Sequence, residues 1–141
     1  VYGFVQRARL LQAHAGADEF VALVQTATRP ANILAAAEKK GIKAVGGLEH
    51  VDAMLFEHPT EHALYEAVAR LTPPFEGLYY RHDYAAIYDE LHALSPAVNA
   101  LFDGVMVMTD DAARRQNRLN LLACANRLYL ALADFTQVVV E

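Results

Sequence analysis

Apolar residues recur at helical spacing along nearly the whole chain. Positions separated by three and four residues fall on one face of an α-helix, so such a stripe predicts a helix with one buried side. Alternation with a period of two, which would indicate strands, is almost absent. The clearest stripes are Phe20, Leu23, Val24 and Ala27; Leu64, Val68 and Leu71; Tyr84, Ile87, Tyr88, Leu91 and Leu94; and Leu121, Ala125, Leu128, Leu132 and Phe135.

Glycines, prolines and capping residues divide these stripes into predicted helices. Proline lacks an amide donor and clashes with the preceding turn, so Pro30 is expected to break or kink a helix, and Pro73-Pro74 to end one. Asp83 and Ser95 are predicted N-caps. Residues 41–57 are predicted only to turn at Gly46-Gly47. The predicted helices cover residues 2–14, 18–29, 31–40, 59–72, 83–94, 95–104 and 109–135.

These elements predict an all-α fold, a single helical bundle of about six to seven helices spanning residues 1–141. A hydrophobic share of 55% and a charged share of 21% fit a folded domain, and no apolar run is long enough for a membrane helix. The chain lacks an initiator methionine and a secretion signal, so we expect a fragment of a longer cytoplasmic protein. Cys124 cannot form an internal disulfide, which fits a reducing compartment.

Charge is unevenly distributed along the chain, although the formal net charge is −5. Residues 1–48 hold six basic and three acidic side chains, whereas residues 49–111 hold two basic and twelve acidic ones. Residues 112–141 hold four basic and two acidic ones. A polyanion would therefore approach the first and last segments and be repelled by the middle. We expect the two positive segments to lie together in the fold.

No pattern in the chain predicts catalysis. His58 and His62 suggest zinc ligands, but Pro59 places His58 at or before a helix start and no third ligand lies nearby. His82-Asp83 occurs in metal pairs of phosphohydrolases, yet Asp83 is better explained as a helix cap. Asp110-Asp111 could hold magnesium, but carboxylates at a helix start usually satisfy its free amides. We therefore expect no catalytic and no metal-binding residue in this chain.

The basic residues divide into two groups. Arg114 and Arg118 lie one helical turn apart, near the apolar stripe. They could contact phosphate, but we favour ion pairs with Asp103, Asp110 or Asp111, which would hold the preceding loop to the last helix. The RNA-binding candidates are Arg29, Asn32, Lys39, Lys40, Lys43, Arg115 and Arg127.

Five of these candidates also have a structural interpretation, whereas Arg115 and Arg127 are expected to face solvent and RNA. Arg29 and Asn32 flank Pro30 and could equally tie helix ends together. The three lysines could simply be a solvated helix end. Four tyrosines are a further alternative, because aromatic rings at helical spacing can stack on bases or pack in a core; core packing is favoured for Tyr79, Tyr80, Tyr84 and Tyr88.

One block near the end of the chain carries a family resemblance. It runs from Leu101-Phe102-Asp103 through Val105-Met106-Val107-Met108-Thr109-Asp110-Asp111 to Arg114, Asn117, Arg118 and Leu119. This block resembles the C-terminal anticodon-binding (DALR-like) domain of bacterial-type glycyl-tRNA synthetase beta subunits. Residues 28–34, 83–94 and 133–135 resemble further segments of that domain, although Thr28 replaces a lysine and Pro30 is unusual there.

The resemblance implies an all-α domain that binds the anticodon arm of glycine tRNA and carries no catalytic site. It implies a structural role for the block's Asp103, Asp110, Asp111, Arg114, Asn117 and Arg118. ATP and magnesium would act on the whole enzyme, through a separate or fused alpha subunit; neither membrane nor DNA is an expected partner. Glycine anticodons share two adjacent cytosines, which require hydrogen-bond acceptors for the amino group and donors for the ring.

Two alternatives remain open from the sequence. Arginyl-tRNA synthetases contain the same broad domain with a looser final block. The net acidity and the plain apolar stripes also fit a helical protein-interaction module that makes little contact with RNA.

Overall fold

The computed structural model describes residues 2–14, 17–132 and 135 of the chain. Its described part is all-α, with five helices and two short 3₁₀ turns, at Leu48–His50 and Ala53–Leu55. None of the described helices is both long and apolar enough to cross a bilayer. The helices are α1 (Tyr2–His14), α2 (Asp18–Lys39), α3 (Pro59–Tyr80), α4 (Tyr84–Gly104) and α5 (Ala112–Leu130).

The prediction of six to seven helices is therefore wrong, and prolines are the reason. Pro30, Pro73-Pro74 and Pro96 all lie inside continuous helices rather than at their ends. An interior proline costs about 3 kcal/mol of local helix stability. Buried residues on both sides, such as Ala27 and Ala37 in α2, hold each half of a helix against the same core. Tertiary packing thus outweighs the local cost.

Ser95 shows the same override at the predicted start of a helix. It is not an N-cap: its buried hydroxyl donates to the Leu91 carbonyl at 2.8 Å, inside α4. It also lies 3.0 Å from the Tyr129 hydroxyl, which links α4 to α5. Burial raises the pKa of Tyr129 to about 12, so this hydroxyl stays neutral and can share in the bond. Asp83, in contrast, caps α4 as predicted, accepting from the Ala86 amide.

Helix α5 is the central element of the core. It packs against α2, α3 and α4, while α3 and α4 form the most extensive helix pair. Six successive residues, 117–122, are buried, so α5 is covered on nearly every side there. Asn120, predicted to lie on the wetter face, is therefore buried, at 7% exposure. The helix also begins later and ends earlier than the predicted range of 109–135; the expected terminal segment at Ala133-Asp134 lies outside the described residues.

Candidate nucleic-acid interface

Within the segment that the sequence left without helices, residues 41–57, the part from 42 to 52 lies along α5. The Lys43 carbonyl accepts from Gln116 Nε2 at 2.8 Å, and the Val45 amide donates to Asn120 Oδ1 at 2.9 Å. Further along, the Gly47 amide contacts Cys124 Sγ at 3.3 Å. The segment therefore advances along the helix two turns from Gln116 to Cys124 and covers the face predicted to be wet.

Beyond the 3₁₀ turn at Leu48–His50, the chain returns toward the start of α5. Asn120 Nδ2 donates to the His50 carbonyl at 3.2 Å. The buried Asn117 then pairs with both backbone groups of one residue: its Oδ1 accepts from the Asp52 amide at 2.7 Å, and its Nδ2 donates to the Asp52 carbonyl at 2.9 Å. These asparagines replace the backbone partners that the segment lacks, and so fix its position.

A buried ion pair holds the start of α3 to α5. Glu61 and Arg118 are 1% and 5% exposed, and Arg118 Nε lies 3.4 Å from Glu61 Oε2. Arg118 also reaches Glu57 Oε1 at 3.2 Å and donates to the Met106 carbonyl at 2.9 Å. The expectation that Arg118 pairs with Asp103, Asp110 or Asp111 is wrong. Glu57 and Glu61 are its partners because the N-terminal end of α3 packs beside α5.

Arg114 lies at the edge of the same cluster. Its Nη1 is 2.7 Å from Asp111 Oδ2, one of the three expected aspartates, and its Nε is 2.9 Å from Glu57 Oε1. Asp111 also caps α5 by accepting from the Ala113 and Arg114 amides. The amide and the guanidinium of Arg114 hold the pKa of the Asp111 carboxyl below its ordinary value of 3.8. Asp110 is exposed, just before this cap.

We expect Asp111→Ala to lower the melting temperature at neutral pH. A carboxyl whose pKa is lowered by folding stabilises the protein above its unfolded-state pKa, and this contribution is lost as the pH falls through the folded-state pKa. The difference between variant and parent should therefore close below about pH 3.8. Thermal unfolding between pH 7 and pH 2 measures it, with Asp110→Ala as the matched loss of charge. An equal effect of both substitutions at neutral pH would contradict the capping role.

His58 is the N-cap of α3, so it lies just before the helix that carries His62. Its Nδ1 lies 2.9 Å from Thr60 Oγ1 and accepts from the Thr60 amide, while Glu61 Oε1 accepts from the His58 amide at 3.1 Å. Gly104 makes this possible, because an added Cβ there would come within 2.8 Å of His58 Cε1. Across residues 2–14, 17–132 and 135, no three His, Cys, Asp or Glu side chains are grouped as a metal site.

Arg29 ties α2 to α4. Its Nη1 donates to Asn99 Oδ1 at 2.9 Å, and its guanidinium lies 4.5 Å from the centre of the Phe102 ring. Its Nη2 is 3.9 Å from Asp103 Oδ1, so the Asp103 carboxylate, the first of the three in the final block, lies beside α2. The geometry assigns Arg29 a structural contact, and its side chain remains 40% exposed.

The other RNA-binding candidates follow the segment along α5. Lys39, Lys40 and Lys43 are exposed at the C-terminal end of α2 and just beyond it. Gln116 donates to the Lys43 carbonyl, and Arg127 packs against Gly46. Positions 115 and 127 are twelve residues, or about 18 Å, apart along the helix. Asn32 is exposed in a shallow depression between α2 and the end of α5. Arg115 faces elsewhere: its Nη1 donates to the Thr109 carbonyl at 3.4 Å, in the loop before α5. The structure therefore places the Lys43 backbone and Arg127 beside the same face of α5, with Lys39 and Lys40 just before Lys43 in the chain, and leaves Arg29 and Arg115 apart.

A groove of about 670 Å³ opens beside Arg127, between α5, the end of α3 and the Gly47–Glu49 turn. Here the four tyrosines separate: Tyr84 and Tyr88 are buried, while Tyr79 and Tyr80 line the groove at 45% and 84% exposure. Cys124 lies in the wall as a buried thiol. The pKa of the Cys124 thiol is raised, mainly by burial. The nearby Glu49 adds to this rise, and the nearby Arg127 opposes it. Core packing was thus correct for two tyrosines and wrong for the other two.

Known proteins match this chain over nearly its whole length. A family model described as the DALR anticodon binding domain matches residues 23–140. The glycine–tRNA ligase beta subunit of Acidobacterium capsulatum is 39% identical over 138 residues, which are 97% of this chain and 20% of that protein. The beta subunit of Oleidesulfovibrio alaskensis is 44% identical over 118 residues, 83% of this chain and 16% of that protein. That of Lacticaseibacillus casei is 34% identical over 139 residues, 99% of this chain and 18% of that protein.

These matches confirm the resemblance seen in the sequence. The chain spans about a fifth of the length of the curated relatives it matches. Together with the all-α architecture, they show that the chain belongs to the family of DALR anticodon-binding domains, in the form that matches glycine–tRNA ligase beta subunits.

Proposed function

We propose that this domain binds the anticodon arm of glycine tRNA through the surface formed by residues 39–47 and α5. The observation that carries the proposal is that this segment, with Lys43 in it and Lys39 and Lys40 just before it, lies along α5 from Gln116 to Arg127. The approach of Lys43, from the first positive part of the chain, and Arg127, from the last, to the same face of α5 supports a shared RNA surface. Arg114 and Arg118 contribute little to that surface, because Glu57, Glu61 and Asp111 neutralise them.

The lysines are suited to phosphate contact. All three are exposed, and none forms an ion pair within the part of the chain that the structure describes. Lysine near a phosphate releases condensed counterions, which makes binding salt-dependent and independent of base sequence. Net acidity elsewhere would keep the rest of the surface away from RNA. We therefore assign Lys39, Lys40 and Lys43 to the RNA backbone.

In this proposal, the domain belongs to a longer enzyme that attaches glycine to its tRNA, as the name of the relatives states for those proteins. It would use ATP and magnesium at an alpha subunit, separate or fused, outside this chain, and would act in the cytoplasm. The relatives support a glycine-specific parent over an arginine-specific one. In that enzyme the present domain would contribute to tRNA selection, with no step of the chemistry on its own residues.

We expect Lys40→Gln/Lys43→Gln to flatten the salt dependence of binding to a glycine tRNA anticodon stem–loop. Two lost phosphate contacts reduce the slope of log K against log salt concentration by about 1.5. Fluorescence anisotropy of labelled RNA at several salt concentrations measures the slope. The matched control is Arg9→Gln/Arg70→Gln, which removes the same charge from exposed positions on α1 and α3.

An unchanged slope in the lysine variant, or an equal change in the control, would reject this surface. A complete lack of stem–loop binding by the parent chain at low salt would instead favour the second candidate function, a protein-interaction module. That alternative is supported by two exposed apolar side chains: Met54, on the 3₁₀ turn Ala53–Leu55, is 90% exposed, and Met106, in the loop before α5, is 73% exposed.

A further inference from the structure

The groove beside Arg127 has two unlike walls. One wall is the last turns of α3, which carries the exposed Tyr80 with Glu76 one helical turn before it. The other wall is the Gly47–Glu49 turn together with α5, which carries Glu49 and Arg127. Tyr79 is fixed at the rim, because its hydroxyl accepts from Arg7 Nη1 at 3.3 Å. The groove thus combines an exposed aromatic ring with one anionic and one cationic side chain.

Two glycines bring these opposite charges into the same wall. An added Cβ on Gly46 would lie 2.8 Å from Arg127 Cδ, and one on Gly47 would lie 2.6 Å from Glu49 Oε1. Gly47 also has a φ of +112°, which side-chain-bearing residues rarely adopt. The backbone thus leaves room for the guanidinium on one side and the carboxylate on the other.

Both charged groups remain available to a ligand. Arg127 forms no ion pair among the residues that the structure describes. Glu49 Oε1 lies 3.7 Å from His50 Nε2, a contact that is ionic only when His50 is protonated, and its side chain is 75% exposed. A carboxylate repels phosphate, so this groove is unsuited to the RNA backbone. It is suited to a group that presents a donor and acceptors side by side.

We propose that the groove receives one unstacked cytosine of the anticodon, a proposal that rests on the proposed RNA-binding function. Tyr80 would stack on the base, Glu49 would accept from the cytosine amino group, and Arg127 would donate to its ring nitrogen and carbonyl. Stacking on aromatic rings holds single-stranded bases whatever their identity. A carboxylate that accepts from the cytosine amino group is a recognised base contact. Uracil presents a carbonyl at that position, which a carboxylate repels.

The test compares anticodon stem–loops of glycine tRNA that keep the two cytosines with versions carrying two uracils or two guanines there. The parent 141-residue chain should prefer cytosine. Glu49→Gln should reduce the ratio of cytosine to uracil affinity by about tenfold, because glutamine can donate to the uracil carbonyl. Glu66→Gln is the matched control, since it removes the same charge from an exposed position of α3 outside the groove and should leave the ratio unchanged.

Tyr80→Ala should weaken binding of all stem–loops by about tenfold. Tyr80→Phe keeps the aromatic ring and should bind them as tightly as the unmutated chain. Glu49 and Tyr80 are both exposed, so circular dichroism should show an unaltered fold in each of these variants. A preference for guanine, or equal ratios in Glu49→Gln and the parent, would overturn the cytosine assignment while stem–loop binding itself persists. Loss of all binding in the parent would contradict the proposed function instead.

Discussion

Replacing Arg118 by methionine is expected to lower the free energy of unfolding by about 3–5 kcal/mol. The substitution keeps much of the side chain's length but leaves Glu61 buried without its cation. It also removes the donor to the Met106 carbonyl, which holds the loop before α5. A buried charge that loses its partner costs far more than an exposed one, so this is the largest effect we expect from a single change in the chain.

Urea unfolding monitored by circular dichroism measures this effect, with Arg127→Met as the control at an exposed position of the same helix. The double variant Arg118→Met/Glu61→Gln should recover part of the loss. Glutamine removes the unpaired charge, and its oxygen can still accept from the Glu57 and His58 amides. A double variant less stable than Arg118→Met alone would argue against an uncompensated charge as the cause.

Replacing Asn117 by aspartate is expected to cost about 2–3 kcal/mol at neutral pH. The new side chain has nearly the same shape, and it can still accept from the Asp52 amide. It loses the donor to the Asp52 carbonyl, however, and places a carboxylate against that oxygen in a buried site. The segment over residues 42–52 would then be held mainly by Asn120 and Gln116.

The cost of Asn117→Asp should shrink as the pH falls. Burial and the facing carbonyl raise the pKa of the introduced carboxyl above its unfolded-state value. A group with a raised folded-state pKa destabilises the fold increasingly as the pH rises through that range, and the protonated form regains a donor. Unfolding at pH 4 and pH 7 measures the change, with Asn126→Asp on the same helix as control. A cost independent of pH would contradict this explanation.

Both predictions concern the framework under the proposed RNA surface rather than the surface itself. Asn117 and Asn120 position the segment that carries Lys43, and the Arg118–Glu61 pair positions the start of α3. A bidentate asparagine on a backbone substitutes for a missing strand partner, so a loop gains one defined position. We therefore expect either variant to bind RNA more weakly, because the segment that carries Lys43 or the start of α3 is displaced. The salt dependence of binding should not change.

Local patterns were sufficient to predict much of the molecule. The stripes at helical spacing predicted an all-α fold, and all of their members are buried in the core as expected. Asp83 and Asp111 cap helices, because a carboxylate beside free amides is favoured wherever the chain lies. The block from Leu101 to Leu119 was specific enough to predict the family that the comparisons show.

Features that depend on contacts distant in sequence were beyond such patterns. Pro30, Pro73-Pro74 and Pro96 lie within helices because burial on both sides of each outweighs a local cost. The partner of Arg118 is 57 residues away at Glu61, and the sequence offered nearer aspartates that were equally plausible in charge. The groove that combines Tyr80, Glu49 and Arg127 draws on three separate parts of the chain. Sequence determined which side chains are available and which faces are apolar; packing alone determined which charges neutralise one another and which remain unpaired among the described residues.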